Sequence, residues 1–212
     1  MLLQANQKLL FIGDSITDCG RGRPVGLRGS TGLGEGYVAL VDNTLGACHP
    51  DAPVQVLNTG ISGNRVIDLK ARWQEDVLEH APDWLSIMIG INDVWRYFDG
   101  DPGMEQVDPE RYETVYRELL QRTRPRVEGL IVMSPFFLES HLDDAMRTMM
   151  DAYGAIARRL AGECDAIFVD VQAAFDAFLA HQPAEALCAD RVHPNGVGHM
   201  IIARAFLQAI GA

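Results

Sequence analysis

Four short stretches of this sequence carry residue types that can move an acyl group. Ser15 follows the apolar run at 9–12 and the pair Gly13-Asp14. Gly63 with Asn64, and Asn92 with Asp93, follow two later apolar runs, and Asp190-Arg191-Val192-His193 lies near the C-terminus. A serine hydroxyl is a weak nucleophile until an imidazole takes its proton, and a carboxylate fixes the tautomer of that imidazole. Asp190 and His193, three residues apart on a turn, can set a carboxylate beside one ring nitrogen. The oxyanion of such a reaction needs donors, which a backbone N–H at Gly63 and the side-chain amide of Asn92 can provide. A glycine at 63 also lets the backbone approach a substrate closely. Taken alone, Asp14-Ser15 suits a helix cap equally well. Asp14 and Asp93 are read as turn-holding acids rather than as the catalytic one.

The elements that must position these residues follow from hydrophobic periodicity. The run at 8–12, apolar after Lys8, reads as a strand buried on both faces, and those at 54–58, 84–89, 130–133 and 166–169 read as further strands. Helical spacing covers 37–47, 66–80, 109–124, 143–163 and 171–180, with a last helix from about Pro194 to Ala209. Asp108-Pro109-Glu110 is a helix start, and Pro194 is expected to open the last helix and hold the Asp190–His193 turn. Residues 20–36, rich in Gly and containing Arg21, Arg23 and Arg28, read as a long loop, as do residues 95–106. Strands alternating with helices predict an α/β chain: a three-layer α/β/α sandwich with a parallel sheet of about five strands and right-handed crossovers. One domain is expected over residues 1–212. Ser15, Gly63 and Asn92 all follow strands, so they converge on one edge of that sheet, where ligands bind in open α/β folds. The order Ser, Asp, His is that of α/β hydrolases, but their Gly-x-Ser-x-Gly elbow is missing, so the scaffold is a different one.

Bulk properties narrow the partners. The net charge of −11, from 29 acidic and 18 basic side chains, argues against nucleic acid and anionic membranes. The N-terminal residues lack a signal-peptide pattern and no run has the length of a membrane span, so a cytoplasmic protein is expected. Cys19, Cys48, Cys164 and Cys188 are scattered and are expected as reduced thiols. Gly34-Glu35-Gly36-Tyr37-Val38-Ala39 matches a dinucleotide fingerprint on paper, but a loop rather than a strand precedes it, so nucleotide binding is not expected. His199 lies six residues after His193, about 240° away on a helix, so the two make no metal site and His199 is read as packing or surface.

Gly13-Asp14-Ser15, Gly63, Gly90-Ile91-Asn92-Asp93 and Asp190-Arg191-Val192-His193 resemble the four sequence blocks of the SGNH (GDSL) hydrolase family, in its order and at its spacing, across residues 8–199. The resemblance implies a flavodoxin-like sandwich and no cofactor or metal. It implies Ser15 as nucleophile, the Ser15 and Gly63 amides and the Asn92 side chain as oxyanion donors, and His193 with Asp190 as base and partner. The stretches 8–21, 68–73, 86–96 and 190–194 are further similar to bacterial intracellular acetyl xylan esterases, which implies deacetylation of xylo-oligosaccharides.

Within the enzyme class the rivals are a broad short-chain carboxylesterase, a thioesterase and a lysophospholipase; the absence of a long apolar lid weakens the lipid reading. From another class, a ligand-binding protein on a decayed hydrolase scaffold should have lost one of Ser15, Asn92, Asp190 or His193, and all four are present. Trp95, Arg96 and Phe136 follow strands and are candidates for lining the substrate pocket, with a surface ion pair the plainer reading of Arg96. A homo-oligomer is compatible with this sequence.

Overall fold

The computed structural model describes residues 1–26, 30–99, 103 and 105–212, with the backbone alone for residues 30 and 31. Five strands, β1 (Lys8–Gly13), β2 (Gln55–Asn58), β3 (Trp84–Met88), β4 (Gly129–Met133) and β5 (Ile167–Val169), form one sheet in the order β2-β1-β3-β4-β5. Every neighbouring pair is parallel, and Phe11 of β1 faces Asn58 of β2 on one side and Ser86 of β3 on the other. This is the flavodoxin-like order, in which the chain leaves β1 toward one sheet edge and returns to β3 on its other flank. The crevice at that reversal opens at the carboxyl end of β1, where Ser15 follows.

Nine α-helices accompany the strands among the described residues: α1 (Ser15–Asp18), α2 (Ser30–Leu33), α3 (Tyr37–Cys48), α4 (Val66–Trp73), α5 (Ile91–Trp95), α6 (Pro109–Thr123), α7 (Ala145–Glu163), α8 (Val171–Leu179) and α9 (Gly196–Ile210). Right-handed crossovers in the two directions put α3 on one face and α4, α6 and α7 on the other. In agreement, α3 and α8 each pack on α9, while α6 packs between α4 and α7. The three-layer sandwich expected from the sequence is therefore the observed one.

Helix starts follow local chemistry. Asp108 caps α6 by accepting the Arg111 N–H at 2.8 Å, with Pro109 at the first helical position. Asp144 and Asp170 do the same for α7 and α8. The buried aromatics tie helices to one another and to the strand ends through their polar atoms. Trp73 Nε1 donates to Thr123 Oγ1 at 3.0 Å across the α4–α6 contact, and Tyr112 Oη donates to the Ile89 carbonyl at 2.9 Å, just past β3. Truncating such a fully buried aromatic costs about 3–5 kcal/mol.

Several boundaries differ from the sequence reading. The long 20–36 loop contains α2, while its residues 27–29, including Arg28, lie outside the described residues, as do 100–102 and 104 of the 95–106 loop. The helix expected over 66–80 is α4 continued by a π-helical turn at Gln74–Leu78. Asn92 and Asp93, read only as following an apolar run, lie on the short helix α5, whose five residues are too few to show a periodicity. Pro194 does not open the last helix. Asn195 caps α9, its side chain accepting the Val197 and Gly198 N–H groups, and so does the work assigned to the proline.

Candidate active site

Ser15 is the first residue of α1, directly after β1. Asp14 caps this short helix, its Oδ1 accepting the Ile16 N–H at 3.0 Å. The Ser15 Oγ lies 2.9 Å from His193 Nε2, and His193 Nδ1 lies 2.7 Å from Asp190 Oδ2. A carboxylate only accepts, so Nδ1 carries the ring proton and Nε2 is left as acceptor for the serine hydroxyl. The other Asp190 oxygen accepts the backbone N–H groups of Val192 and His193 at 3.0 and 2.9 Å. Burial raises the Asp190 pKa, but the hydrogen bonds from His193 and Val192 outweigh it and hold the carboxyl below its usual range. Asp190 and His193 side chains are each 44% exposed, so water and substrate reach the pair.

The turn carrying Asp190 and His193 is fastened from outside the motif. Arg191 adopts a left-handed backbone at φ 62°. Its carbonyl accepts the Leu138 N–H at 3.0 Å, and its guanidinium pairs with Glu139 at 2.6 Å while lying over the Phe137 ring. That loop is in turn held by buried Arg147, which donates to the Glu139 carbonyl at 2.7 Å and forks onto both oxygens of Asp176.

The loop after β2 comes up beside Ser15. Thr59 and Ile61 continue the backbone pairing onto Phe11 and Gly13, at 2.8 and 3.1 Å. At Gly60 a Cβ would fall 2.4 Å from the Asp18 nitrogen, so only glycine lets the loop press this closely on α1. Buried Asp18 then accepts from both the backbone N–H and the hydroxyl of Ser62 at 3.2 Å. Gly63 follows at φ 83°, the left-handed region that turns the chain at the tip.

Asn92 and Asp93, consecutive on α5, grip the same loop. The Asn92 Nδ2 donates to the Asn64 carbonyl at 3.1 Å, and both Asp93 oxygens accept the Val66 N–H at 3.0 and 3.2 Å. The structure thus gathers Ser15, Gly63, Asn92, Asp190 and His193 at one sheet edge. Such an arrangement can pass a serine proton to an imidazole while amide donors face the developing oxyanion.

Asp14 and Asp93 do hold local structure, but at an electrostatic cost. Burial pushes each carboxyl up to about 7, against the hydrogen bonds from Ile16 and Val66 respectively. His199 is buried rather than at the surface. Its Nδ1 accepts the Tyr37 N–H at the start of α3 at 3.1 Å, and Nε2 lies 3.4 Å from Cys19 Sγ. No three His, Cys, Asp or Glu side chains gather as metal ligands among the described residues.

The aromatic candidates separate sharply. Trp95 stands edge-on to the His193 ring, centroids 5.9 Å apart, and the Arg96 guanidinium lies over the Trp95 ring while pairing with Asp99. Phe136 is 0% exposed, packed on Phe175 with centroids 4.5 Å apart, so it is core and lines no pocket. Asn64 and Glu139 hold the loops around the site through these contacts, and no motif in the sequence singled out those roles.

Comparison with known proteins agrees with this geometry. The chain is 52% identical over 213 residues to an acetylxylan esterase of Geobacillus stearothermophilus, covering 100% of this chain and 97% of that one. A crystal structure of that esterase superposes with a TM-score of 0.97 at the same coverage of both chains. Further structures of it are of catalytic mutants in which a serine, an aspartate or a histidine is replaced by alanine. An alpha/beta hydrolase from the metagenome of Lake Arreo, Spain, is 48% identical with a TM-score of 0.96, covering 100% of this chain and 98% of that one. The GDSL-like lipase/acylhydrolase family matches residues 11–201, and this chain belongs to it.

Proposed function

We propose that this protein is a serine esterase that removes acetyl groups from xylo-oligosaccharides through an acyl-enzyme. The observation that carries the reading is the relay from Ser15 Oγ through His193 to Asp190, with distances of 2.9 and 2.7 Å. Ser15 Oγ attacks the acetyl carbonyl as His193 Nε2 takes its proton. The resulting oxyanion is met by the Ser15 and Gly63 N–H groups and the Asn92 side chain. His193 then protonates the departing sugar oxygen. Water, deprotonated by the same nitrogen, attacks the acetyl-serine, and collapse of that second adduct releases acetate and returns the proton to Ser15.

Trp95, beside the His193 ring, is the wall against which a sugar face can pack, and Arg96 fixes its orientation. The acetyl-sugar substrate is supported by the 52% identity to the acetylxylan esterase over the whole chain. We take the chain to act as one domain. No helix among the described residues is long and apolar enough to cross a membrane. The four free cysteines suit the reducing cytoplasm that we assign to it.

The test compares acetylated xylo-oligosaccharides with aryl acetate, butyrate and octanoate esters, using wild type and Ser15→Ala in parallel. Acetate release from the oligosaccharides, a preference for the aryl acetate and a near-complete loss in Ser15→Ala are expected. Turnover confined to the longer acyl chains would make the protein a general carboxylesterase, thioesterase or lysophospholipase. Substantial turnover by Ser15→Ala would remove the serine from its role.

A further inference from the structure

Arg72, the second-last residue of α4, is nearly buried, its side chain 13% exposed. Its guanidinium joins the end of β1 to two points of the loop after β2. Nε donates to Asn64 Oδ1 at 2.7 Å, one terminal nitrogen donates to the Thr59 carbonyl at 2.6 Å, and the other donates to the Gly13 carbonyl at 3.1 Å. Asp76, one turn on along the π-helical segment, pairs with the same head group and balances its charge. Gly13 is two residues before Ser15, Thr59 opens the loop that carries Gly63, and the Asn64 carbonyl is the acceptor that orients the Asn92 amide.

We infer that Arg72 is a positioning residue for the oxyanion donors: its planar fork sets the spacing between Ser15, the Gly63 N–H and the Asn92 side chain. The inference rests on the serine esterase reading and extends it to a residue that does not touch the substrate. One oxygen lies at the end of β1 and two lie on the loop after β2, and only a guanidinium offers enough fixed N–H directions to hold them at once. A lysine ammonium is a point charge on a flexible stem and cannot hold Asn64, Thr59 and Gly13 in one plane. Loosening this point lets the Gly63–Asn64 loop drift relative to Ser15. Ground-state binding depends little on that spacing, whereas the oxyanion, formed only in transit, depends on it steeply. Misplacement of donors by about 1 Å is enough for large rate losses.

The experiment measures kcat, KM, the pH–rate profile and thermal unfolding of Arg72→Gln and Arg72→Lys on an aryl acetate, beside wild type and Ser15→Ala. Both Arg72 variants are expected to lose about 10- to 100-fold in kcat, with KM within about threefold of wild type. The pH–rate midpoint should not move, because the Ser15–His193–Asp190 relay is untouched. Affinity for an aryl boronic acid, which forms an anionic tetrahedral adduct on the serine, should fall in step with kcat.

If Arg72→Gln does not fold, Arg72→Lys carries the measurement; failure of both to fold overturns the inference, since Arg72 would then serve stability alone. An unchanged kcat in a folded variant overturns it, as does a loss confined to KM. Full activity in Ser15→Ala would instead overturn the serine esterase reading, whatever the Arg72 variants show.

Discussion

The Asn92 amide donates to the Asn64 carbonyl at 3.1 Å, so the side chain proposed to meet the oxyanion is aimed by the loop that carries Gly63. Nδ2 has two N–H groups, and engaging one with Asn64 leaves the other to face the substrate. Asn92→Ala is expected to lower kcat about 10²–10³-fold. Steady-state kinetics on an aryl acetate checks this, and an effect confined to KM would make Asn92 a binding residue.

Asp190 and His193 should not be equivalent. In the proposed mechanism Asp190 holds the ring tautomer whereas His193 itself moves the proton, so Asp190→Asn should retain more turnover than His193→Ala. Because Arg191 anchors the turn to Glu139 at 2.6 Å, Glu139→Gln should lower kcat as well, by about 3- to 10-fold through looser placement of the imidazole. Equal losses in Asp190→Asn and His193→Ala contradict the ordering, and a Glu139→Gln enzyme indistinguishable from wild type contradicts the anchor.

His199 should make the fold sensitive to acid. Burial, with a smaller contribution from His193, lowers its pKa from 6.5 to about 4. Between those values the unfolded chain binds a proton that the folded chain refuses, so this contribution to stability is full above 6.5 and is lost as pH falls toward about 4. The complete loss is on the order of 3 kcal/mol. Thermal unfolding against pH should show a steeper acid-side decline in wild type than in His199→Gln. Parallel curves would mean that the buried ring is not the titrating group.

Asp93 should act in the opposite direction. Its carboxyl, raised by burial from 3.8 to about 7, keeps its proton in the folded chain where the unfolded chain has lost it. The associated stability is full below the unfolded value and is lost as pH rises through about 7. Asp93→Asn cannot ionise, so the Tm difference should move in the variant's favour between about pH 5 and about pH 8. A constant offset between the two melting curves would count against the shift. Asp14, buried and raised to about 7 as well, adds a slope of the same sign to both proteins.

The candidates Ser15, Asn92, Asp190 and His193 stood out in the linear chain because the chemistry proposed for them tolerates few residue types. Asp190 and His193 in addition need only a local turn to meet. The central strands were legible because they are buried on both faces, apolar over most of their length, and followed by polar punctuation. Arg72 was not legible, since its partners Gly13, Thr59 and Asn64 are 59, 13 and 8 residues away and only the sheet order brings them together. Phe136 and Trp95 show the same limit. Both are aromatic residues following strands, yet one packs on Phe175 in the core and the other stands at the His193 ring. Residue type and short-range spacing determined which groups could react and where the strands end. Distances across the fold, and hence which donors face the serine and what holds them there, were decided by packing between segments far apart in sequence, which local pattern does not encode.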